Sequence, residues 1–195
     1  MSAATFAREF LRNWKDTGAI VPSSRALAHR MIEAANVPHA RRVLELGPGT
    51  GAITEVIHDC LPSSAQFLGL DLNEVFVRQL QRRFPNHEFV CSAAQSFDFD
   101  SWLNHGEGFD AIVSGLPWTA FPQALQIDIL HHVLPRLAPG GCFVTFAYWG
   151  LHLLPGGRHF RELLQRQEGT TLRMTSVVWR NTPPAFVYVV QRSRQ

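Results

Sequence analysis

The stretch "VLELGPGTGAITEVI" (residues 43–57) constrains the fold more than any other part of the sequence. An apolar run that ends at Leu46 leads into glycines at alternate positions, Gly47, Gly49 and Gly51, and a helix-forming run follows at once. Glycine lets a backbone turn tightly and approach a ligand without interference from a Cβ atom. A helix that starts directly after such a turn directs free backbone N–H groups to the same place. The stretch therefore predicts a strand–turn–helix unit that binds a nucleotide-like ligand.

The rest of the chain alternates strand-like and helix-like runs. Strands are predicted near 42–46, 66–71, 87–91, 109–114 and 141–147, and helices near 51–60, 73–84, 122–137 and 157–167. Such alternation is typical of a parallel sheet with helices on both faces. Two further strand-like runs, near 171–179 and 185–191, are separated only by "RNTPP", and so short a link forces an antiparallel pair. The sequence predicts an α/β fold with a Rossmann-like, seven-stranded sheet whose last strand is antiparallel.

The first 36 residues predict two helices. Residues 3–16 place an aromatic residue at every fourth position, with basic residues on one flank of that stripe. The run "VPSSRALAHRMIEAAN" begins a second helix that Ser23 or Ser24 can cap and that Asn36 can close. The first helix has the composition of helices that lie on membrane surfaces, and packing on the protein's own core is the alternative. The residues of this membrane-facing prediction are Phe6, Arg8, Phe10, Arg12, Trp14 and Lys15.

Composition and charge exclude several classes of protein. The chain has 195 residues, of which 46% are hydrophobic and 17% charged, which indicates one folded α/β domain. A net charge of +2 is too small to indicate nucleic-acid binding. Cys60, Cys91 and Cys142 lie far apart and lack metal-ligand spacing, so no metal site is expected. No apolar run is long enough to span a bilayer, so we expect a protein in solution or on a membrane surface.

The glycine-rich turn departs from the form that binds dinucleotides. That form reads G-x-G-x-x-G, whereas here the third glycine comes one residue early and Glu45 precedes the first. A carboxylate at this place repels a pyrophosphate but suits a ligand that carries an amino group. The stretch resembles the first motif of the Rossmann-like, class I methyltransferases that depend on S-adenosylmethionine, and Asp71 matches their ribose-binding acid. The resemblance implies S-adenosylmethionine as cofactor and S-adenosylhomocysteine as product.

The same resemblance supplies the remaining cofactor residues. Leu72 follows the ribose-binding acid. Where family members often read Gly-Asp-Ala after the third strand, this chain reads Cys91-Ser92-Ala93, so the adenine contact falls to Ser92 or to a backbone carbonyl. The cofactor residues implied are Glu45, Gly47, Gly49, Gly51, Asp71, Leu72, Ser92, Ala93 and Ser114.

A narrower resemblance covers nearly the whole chain. The sequence is similar to the soluble bacterial phospholipid N-methyltransferases, which convert phosphatidylethanolamine to phosphatidylcholine. The stretches that carry it are "FLRNWKDTGAIVPSSRALA" (10–28), "VLELGPGTGAIT" (43–54), "DAIVSGLPW" (110–118), "LAPGGCFVTFAYW" (137–149) and "RNTPPAFVYVVQR" (180–192). Several of these motifs are shared, more loosely, with the rRNA adenine dimethylases.

The step "SGLPW" indicates which amine is methylated. Enzymes that methylate base amines usually carry Asn or Asp where this chain has Gly115. A base amine is conjugated and needs a side-chain partner, whereas an ethanolamine amine needs only deprotonation, in-line positioning and room for methyl groups. Gly115 is expected to give that room, while backbone carbonyls accept N–H bonds. The catalytic residues expected are Ser114, Gly115, Leu116 and Tyr148.

The product of three methylations is a quaternary ammonium, which cannot donate a hydrogen bond and is best bound by aromatic faces. Trp118 and Phe121 follow the fourth strand, and Tyr148 and Trp149 follow the fifth; ordinary core packing is the alternative for each. Arg180 and Arg158 are candidates for the lipid phosphate. The substrate-binding residues expected are Trp118, Tyr148, Trp149 and Arg180.

These observations predict a segment at 1–36 that binds membrane or closes over the site, and a methyltransferase domain at 37–195. The expected partners are a phospholipid surface, with anionic lipids, and a lipid substrate, without nucleic acid. The expected location is cytoplasmic, at the inner face of the plasma membrane. Three alternatives stay open: an rRNA adenine dimethylase-like enzyme, a methyltransferase of another aminolipid such as one with an ornithine head, and a membrane-surface binding module without activity. Oligomeric state is not readable from the sequence.

Overall fold

A computed structural model describes residues 23–103 and 107–194 of the chain. They form one seven-stranded sheet, whose strands are β1 (Arg42–Leu46), β2 (Gln66–Asp71), β3 (Glu88–Cys91), β4 (Phe109–Ser114), β5 (Leu137–Tyr148), β6 (Thr170–Met174) and β7 (Ala185–Arg192). The strand order is β3-β2-β1-β4-β5-β7-β6. The strand β7 runs antiparallel to both of its neighbours, while the pairs among β1 to β5 are parallel. The predicted α/β, Rossmann-like methyltransferase fold with its antiparallel last strand is confirmed.

Helices cover both faces of the sheet. They are α1 (Arg25–Ala34), α2 (Ala52–Cys60), α3 (Glu74–Arg83), α4 (Phe99–Trp102), α5 (Gln123–Val133) and α6 (Pro155–Gln165). The first three pack on one face and the last three on the other, so each face has its own apolar core. Strand β1 shows the alternation, since Val43 belongs to one core and Leu44 to the other. Each fully buried aliphatic or aromatic side chain contributes about 1.5–3 kcal/mol to folding.

Helix ends follow the capping residues in the sequence. The hydroxyl of Ser24 accepts a hydrogen bond of 3.2 Å from the backbone N of Leu27, so Ser24 caps α1 as predicted. Asn36, two residues past the end of α1, adopts the left-handed conformation at φ 53°. The side chain of Asn73 caps α3 in the same way as Ser24 caps α1. These caps place the starts of α1 and α3 at defined positions.

Three predicted boundaries differ from the structure. The helix predicted over 122–137 ends at Val133 and continues as a 3₁₀ turn, because Pro135 has no backbone N–H with which to continue the hydrogen bonds of the helix. Strand β5 begins at Leu137 rather than near 141, with a register shift opposite β4. Strand β6 ends at Met174 rather than near 179. The helix predicted over 3–16, with its membrane-facing residues, lies outside the described residues.

Within residues 23–103 and 107–194, no helix combines the length and the apolar character that crossing a bilayer requires.

Candidate active site

The candidate site lies at the edge of the sheet where the parallel strands end. Leu46 at the end of β1 is in register with Leu70 of β2 on one side and with Ser114 of β4 on the other. Asp71 is in register with Cys91 at the end of β3. Because open α/β sheets bind their ligands at this edge, the segments that follow these four strands form the expected binding crevice.

The glycine-rich turn has the conformation that its sequence predicts. Gly47, Gly49 and Gly51 have φ values of 70°, 56° and 87°, which L-residues with a side chain rarely adopt. The backbone N of Gly47 donates to the carbonyl of Leu70 at 2.9 Å, which ties the turn to β2. A Cβ atom at Gly49 meets nothing within 4 Å, so open space lies beside the middle of the turn. The turn is a cradle with room for a ligand on one side.

Asp71 joins this turn to the end of β2. One of its carboxylate oxygens accepts from the backbone N of Gly49 at 2.9 Å, and the other accepts from the backbone N of Asn73 at 2.8 Å. Each carboxylate oxygen has two lone pairs, so a carboxylate can accept several hydrogen bonds at once. This capacity fits the two hydroxyls of a ribose.

Glu45 lies beneath the turn and is completely buried. The hydroxyl of Thr54 donates to its Oε2 at 2.7 Å, while Oε1 has no hydrogen-bond partner among the described residues. Burial raises the pKa of Glu45 from 4.5 to about 8, opposed by the Thr54 hydrogen bond and reinforced by the charge of Asp71. The carboxyl is therefore protonated at neutral pH until a cation approaches. A buried acid with one unpaired oxygen fits a ligand that carries an ammonium group.

The segment after β3 lies beside Asp71. The backbone N of Ser92 donates to the carbonyl of Asp71 at 3.1 Å. The Ser92 hydroxyl donates to the carbonyl of Ala93 at 3.4 Å, and Leu72 packs partly buried against the core. Leu72, Ser92 and Ala93 thus lie together at the edge that the cofactor prediction requires, although nothing in these contacts identifies an adenine.

The hydroxyl of Ser114 shapes the turn that follows β4. It is completely buried and accepts from the backbone N of Leu116 at 3.3 Å and from Nε1 of Trp118 at 3.0 Å. The hydroxyl of Thr145 donates to the Ser114 carbonyl at 3.1 Å. These contacts engage the Ser114 hydroxyl inside the core, and the expectation that Ser114 takes part in catalysis or cofactor binding stays a prediction.

Gly115 forms a close contact between the β4 turn and the glycine-rich turn. Its backbone N donates to the carbonyl of Leu46 at 2.8 Å, and an ideal Cβ at this position lies 2.9 Å from the carbonyl oxygen of Gly47. The side chain of Leu116 packs over Gly47 from the same turn. The absence of a side chain at Gly115 therefore allows the two turns to approach each other closely. The sequence had suggested instead that it makes room for the substrate.

Two of the aromatic residues expected to bind substrate lie in the core. Trp118 is buried, and its ring stacks on that of Phe160, with ring centroids 4.9 Å apart at 18°. Phe121 is buried beside it. Trp118 and Phe121 therefore pack in the core, which is the alternative that the sequence left open for them. The expectation that Trp118 lines a pocket for the substrate cation is corrected.

The other aromatic pair stands at the end of β5, where it can meet a ligand. Tyr148 is half-buried, contacts Phe146 on the α1 side of the sheet, and lies three residues past Thr145, the register partner of Ser114. Trp149 is exposed and contacts Phe186 on the opposite side. Burial raises the pKa of the Tyr148 phenol above its usual 10, so the hydroxyl is protonated at any physiological pH.

The two arginines considered for the lipid phosphate are both exposed. Arg180 lies in the loop between β6 and β7, and Arg158 lies near the start of α6. Both lie at the same edge of the sheet as the glycine-rich turn, Arg180 because β7 begins opposite Tyr148, and Arg158 because α6 follows the end of β5. Their contact with a lipid phosphate stays a prediction.

Three residues of this region had no predicted role. Thr54 holds Glu45, and the buried Gln126 donates to the carbonyls of Trp118 and Phe121 at 2.7 and 3.1 Å. Asn181 is buried and links two distant loops. Thr54 and Gln126 are polar residues on the apolar faces of helices, and that interruption was the signal available in the sequence. Among the described residues, no group of three or more His, Cys, Asp or Glu side chains is placed to hold a metal ion.

Comparison with known proteins agrees with this geometry. A family model described as a methyltransferase domain matches residues 43–141, from strand β1 into strand β5. This chain belongs to the methyltransferase domain family. The family is S-adenosylmethionine-dependent, so the predicted cofactor is confirmed. In this methyltransferase, the glycine-rich turn, Glu45, Asp71 and the segment 92–93 lie at one edge of the sheet, and their contact with the cofactor stays a prediction.

Individual relatives point to more than one kind of substrate. The methyltransferase is 32% identical to an ornithine lipid N-methyltransferase of Singulisphaera acidiphila over 80% of this chain and 93% of that one. It is 30% identical to the ribosomal RNA small subunit methyltransferase A of Pseudomonas aeruginosa, over 54% of this chain and only 37% of that one. The N-methyltransferase NodS of Bradyrhizobium japonicum, solved with S-adenosylhomocysteine, shares the fold at a TM-score of 0.64 and 14% identity, with 85% of each chain covered.

Proposed function

We propose that this methyltransferase transfers methyl groups to the primary amine of a membrane aminolipid. The observation that carries the proposal is the contact at Gly115, where the β4 turn lies against the glycine-rich turn with no room for a side-chain amide. An alkyl amine needs no such partner, whereas a conjugated base amine does. The similarity to an ornithine lipid N-methyltransferase over 93% of that enzyme supports an aminolipid.

Two head groups are consistent with the proposal. The motif resemblance favours the ethanolamine of phosphatidylethanolamine and its mono- and dimethyl intermediates, with phosphatidylcholine as the final product. The relative in Singulisphaera acidiphila is named for ornithine lipid. Both head groups present a primary alkyl amine beside an anionic group, and Arg158 and Arg180 are exposed cations at the same edge of the sheet. We propose phosphatidylethanolamine first and ornithine lipid as the second substrate to test.

The residues of this chain contribute positioning rather than strong base catalysis. S-adenosylmethionine supplies a methyl group on a positively charged sulfur. The Tyr148 hydroxyl, held neutral by its raised pKa, can accept a hydrogen bond from the substrate ammonium and orient its nitrogen. The proton that the amine must lose passes to water. The Tyr148 ring, half-buried at the end of β5, supplies an aromatic face for the methylated cation.

The substrate of the proposal places the enzyme at a membrane. We propose that it acts as a peripheral protein on the cytoplasmic face of the plasma membrane, where aminolipid head groups are accessible. The helix predicted over 3–16, which lies outside the described residues, is one proposed membrane contact.

The proposal is tested by following labelled methyl groups from S-adenosylmethionine. Detergent micelles of phosphatidylethanolamine, micelles of ornithine lipid and ribosomal RNA are offered separately to the full-length protein. We expect label in lipid and none in RNA, with Asp71→Ala as an inactive control. Label in RNA and not in either lipid contradicts the proposal and supports the rRNA adenine dimethylase alternative. Label only in ornithine lipid retains the aminolipid class and excludes phosphatidylethanolamine.

A further inference from the structure

The loop between β5 and α6 exposes its leucines and buries its histidine. In the segment "WGLHLLP" (149–155), Leu153 is 55% exposed, and Leu151 and Leu154 are exposed to a similar degree. His152, which lies between them, is only 8% exposed. A loop selected for contact with water alone is expected to show the reverse. The loop therefore presents apolar side chains to something other than water.

The neighbouring loop, between β6 and β7, shows the same inversion. In "VVWRNTPP" (177–184), Trp179 is 69% exposed, while Asn181 is 4% exposed. The side-chain oxygen of Asn181 accepts from the backbone N of Ser24, and its side-chain nitrogen donates to the carbonyl of Pro183. The polar residue thus holds the loop together from inside, and the largest apolar residue is directed outward.

The two loops lie side by side. The backbone N of Trp149 donates to the carbonyl of Pro184 at 2.8 Å. Tyr148 is in register with Ala185, which in turn bridges to Val178. Tyr148 and Val178 therefore lie on either side of Ala185. Since adjacent strands are about 4.8 Å apart, the backbones of Tyr148 and Val178, the residues before Trp149 and Trp179, are roughly 10 Å apart. The exposed residues Trp149, Leu151, Leu153, Leu154 and Trp179 are hereafter called the apolar edge.

The chain segments that carry the apolar edge contain basic residues and no acidic residue. Residues 129–161 and 169–195 contain no Asp or Glu at all, although the chain has 16 such residues. Arg158, Arg161 and Arg180 flank the apolar edge and are exposed. A surface that combines protruding tryptophan and leucine side chains with arginines suits the interface of an anionic bilayer, because the rings enter the head-group region and the cations meet lipid phosphates.

The loop that carries most of the apolar edge is fixed from beneath. The backbone N of Gly150 donates to Nδ1 of His152 at 3.2 Å. The His152 ring contacts those of Trp149 and Phe186, with centroids 5.2 and 4.9 Å apart. These contacts favour one conformation of the loop, and a preformed loop lowers the entropic cost of binding.

We infer that the apolar edge is the surface on which this enzyme docks on a lipid bilayer that contains anionic lipids. The inference rests on the proposed function, since an aminolipid substrate lies in such a bilayer. Gly156, at the start of α6, approaches the carbonyl of Thr119 in the β4 turn, so docking here brings the membrane next to the candidate site. The bilayer supplies the apolar medium and the negative charge that this edge lacks.

Vesicle co-sedimentation of the full-length protein tests the inference. The vesicles contain phosphatidylcholine with or without phosphatidylglycerol, and no aminolipid, so binding is measured apart from catalysis. The variant Trp149→Ser/Trp179→Ser is expected to lose at least about tenfold in partition coefficient to the anionic vesicles. Val75→Ser is the matched control, because Val75 is a similarly exposed apolar residue at the start of α3, near the other end of the sheet, and it is expected to bind as wild type.

A second variant tests the charge. Arg158→Gln/Arg180→Gln is expected to reduce the difference in binding between anionic and neutral vesicles while keeping the residual binding to neutral ones. Circular dichroism and cofactor affinity verify that each variant is folded. If Trp149→Ser/Trp179→Ser binds vesicles as tightly as wild type or more tightly, the inference is overturned. In that case, a second copy of the chain or residues 1–22 become the occupants to examine.

The two proposals fail separately. In detergent micelles of the aminolipid, Leu153→Ser/Trp179→Ser, which changes the apolar edge and spares every residue proposed to touch the substrate, is expected to keep wild-type methyl transfer, because docking on a bilayer is not required there. A different result is that the wild type transfers no methyl group to any lipid while Trp149→Ser/Trp179→Ser still loses vesicle binding as expected. That result contradicts the proposed function and supports the docking surface.

Discussion

The side chain of Asn181 accepts a hydrogen bond of 2.9 Å from the backbone N of Ser24, although the two residues are 157 positions apart in the chain. Both belong to motifs that mark the resemblance to phospholipid N-methyltransferases, "VPSSRALA" and "RNTPPAF". Asn181 also donates to the carbonyl of Pro183 at 2.7 Å, and the Ser24 hydroxyl caps α1. One buried amide thus fixes the entry to α1 against the loop that carries Trp179.

Replacing Asn181 tests the contribution of this link to stability. Asn181→Ala removes a buried amide and two partly buried hydrogen bonds, to the Ser24 N–H and the Pro183 carbonyl, so the free energy of unfolding is expected to fall by about 1–3 kcal/mol. Urea unfolding measures the change. The exposed Asn86 provides the matched control, since Asn86→Ala is expected to shift the free energy of unfolding by less than about 0.5 kcal/mol. Equal effects of the two substitutions would mean that the link contributes nothing.

Glu45 gives the protein a pH-dependent stability with a definite sign. Its pKa in the folded protein, about 8, lies above the ordinary 4.5, so the folded state holds the proton more tightly than the unfolded state does. The stabilisation is complete below about pH 4.5 and is lost as the pH rises towards 8, by at most about 1.4 kcal/mol per pH unit. Glu45→Gln removes the titration and keeps the shape. The stability of wild type relative to Glu45→Gln is expected to fall between pH 5 and 8 in urea unfolding; parallel curves would show that Glu45 does not titrate in this range.

Asp71 is expected to control cofactor affinity through its two oxygens. Both accept backbone N–H groups, from Gly49 and Asn73, and an asparagine must turn its NH₂ group towards one of these donors. Asp71→Asn is therefore expected to weaken S-adenosylmethionine binding roughly tenfold or more, measured by calorimetry. Asp128→Asn, on the exposed side of α5, is the control and should bind as wild type. Unchanged affinity in Asp71→Asn would mean that the ribose lies elsewhere.

The fold was predictable because its signals are local and periodic. The strand β1, the glycines that follow it and Asp71 at the end of β2 occupy the positions that their spacing predicts. The short link before β7 required an antiparallel pair, and β7 runs antiparallel. The wrong predictions concern the ends of strands and helices. Strand β5, for example, begins at Leu137, earlier than its run of apolar residues suggests, because an extended segment before that run also pairs with the sheet.

The candidate site was predictable only in part, because side-chain direction depends on tertiary packing. Trp118 and Trp149 both follow strands that end at the ligand edge, yet Trp118 stacks on Phe160 in the core and Trp149 is exposed. Nothing in the residues around either tryptophan distinguishes the two outcomes. The hydrogen bonds of Ser114 to its own turn were equally hidden, since they depend on where the Trp118 ring is buried.

Gly115 gives the sharpest test of how the β4 turn is built. Gly115 does not have a positive φ, so its backbone conformation does not require a glycine. The reason is the contact with the Gly47 carbonyl, 2.9 Å from an ideal Cβ, together with the hydrogen bond from the Gly115 backbone N to Leu46. An alanine must separate the two turns by a few tenths of an ångström, and it displaces the backbone that forms the cofactor cradle.

Gly115→Ala is therefore expected to weaken S-adenosylmethionine binding and to lower the free energy of unfolding by about 1–3 kcal/mol, the range for overpacking. Gly141→Ala is the matched control, since an ideal Cβ there lies 2.6 Å from the carbonyl oxygen of Phe109, at the end of β4 away from the site. The control is expected to lose stability while its folded form keeps wild-type cofactor affinity. Calorimetry and urea unfolding on both variants separate the two effects. If Gly115→Ala binds the cofactor as tightly as Gly141→Ala does, the β4 turn does not support the cradle, and the glycine is better explained by room for the substrate amine.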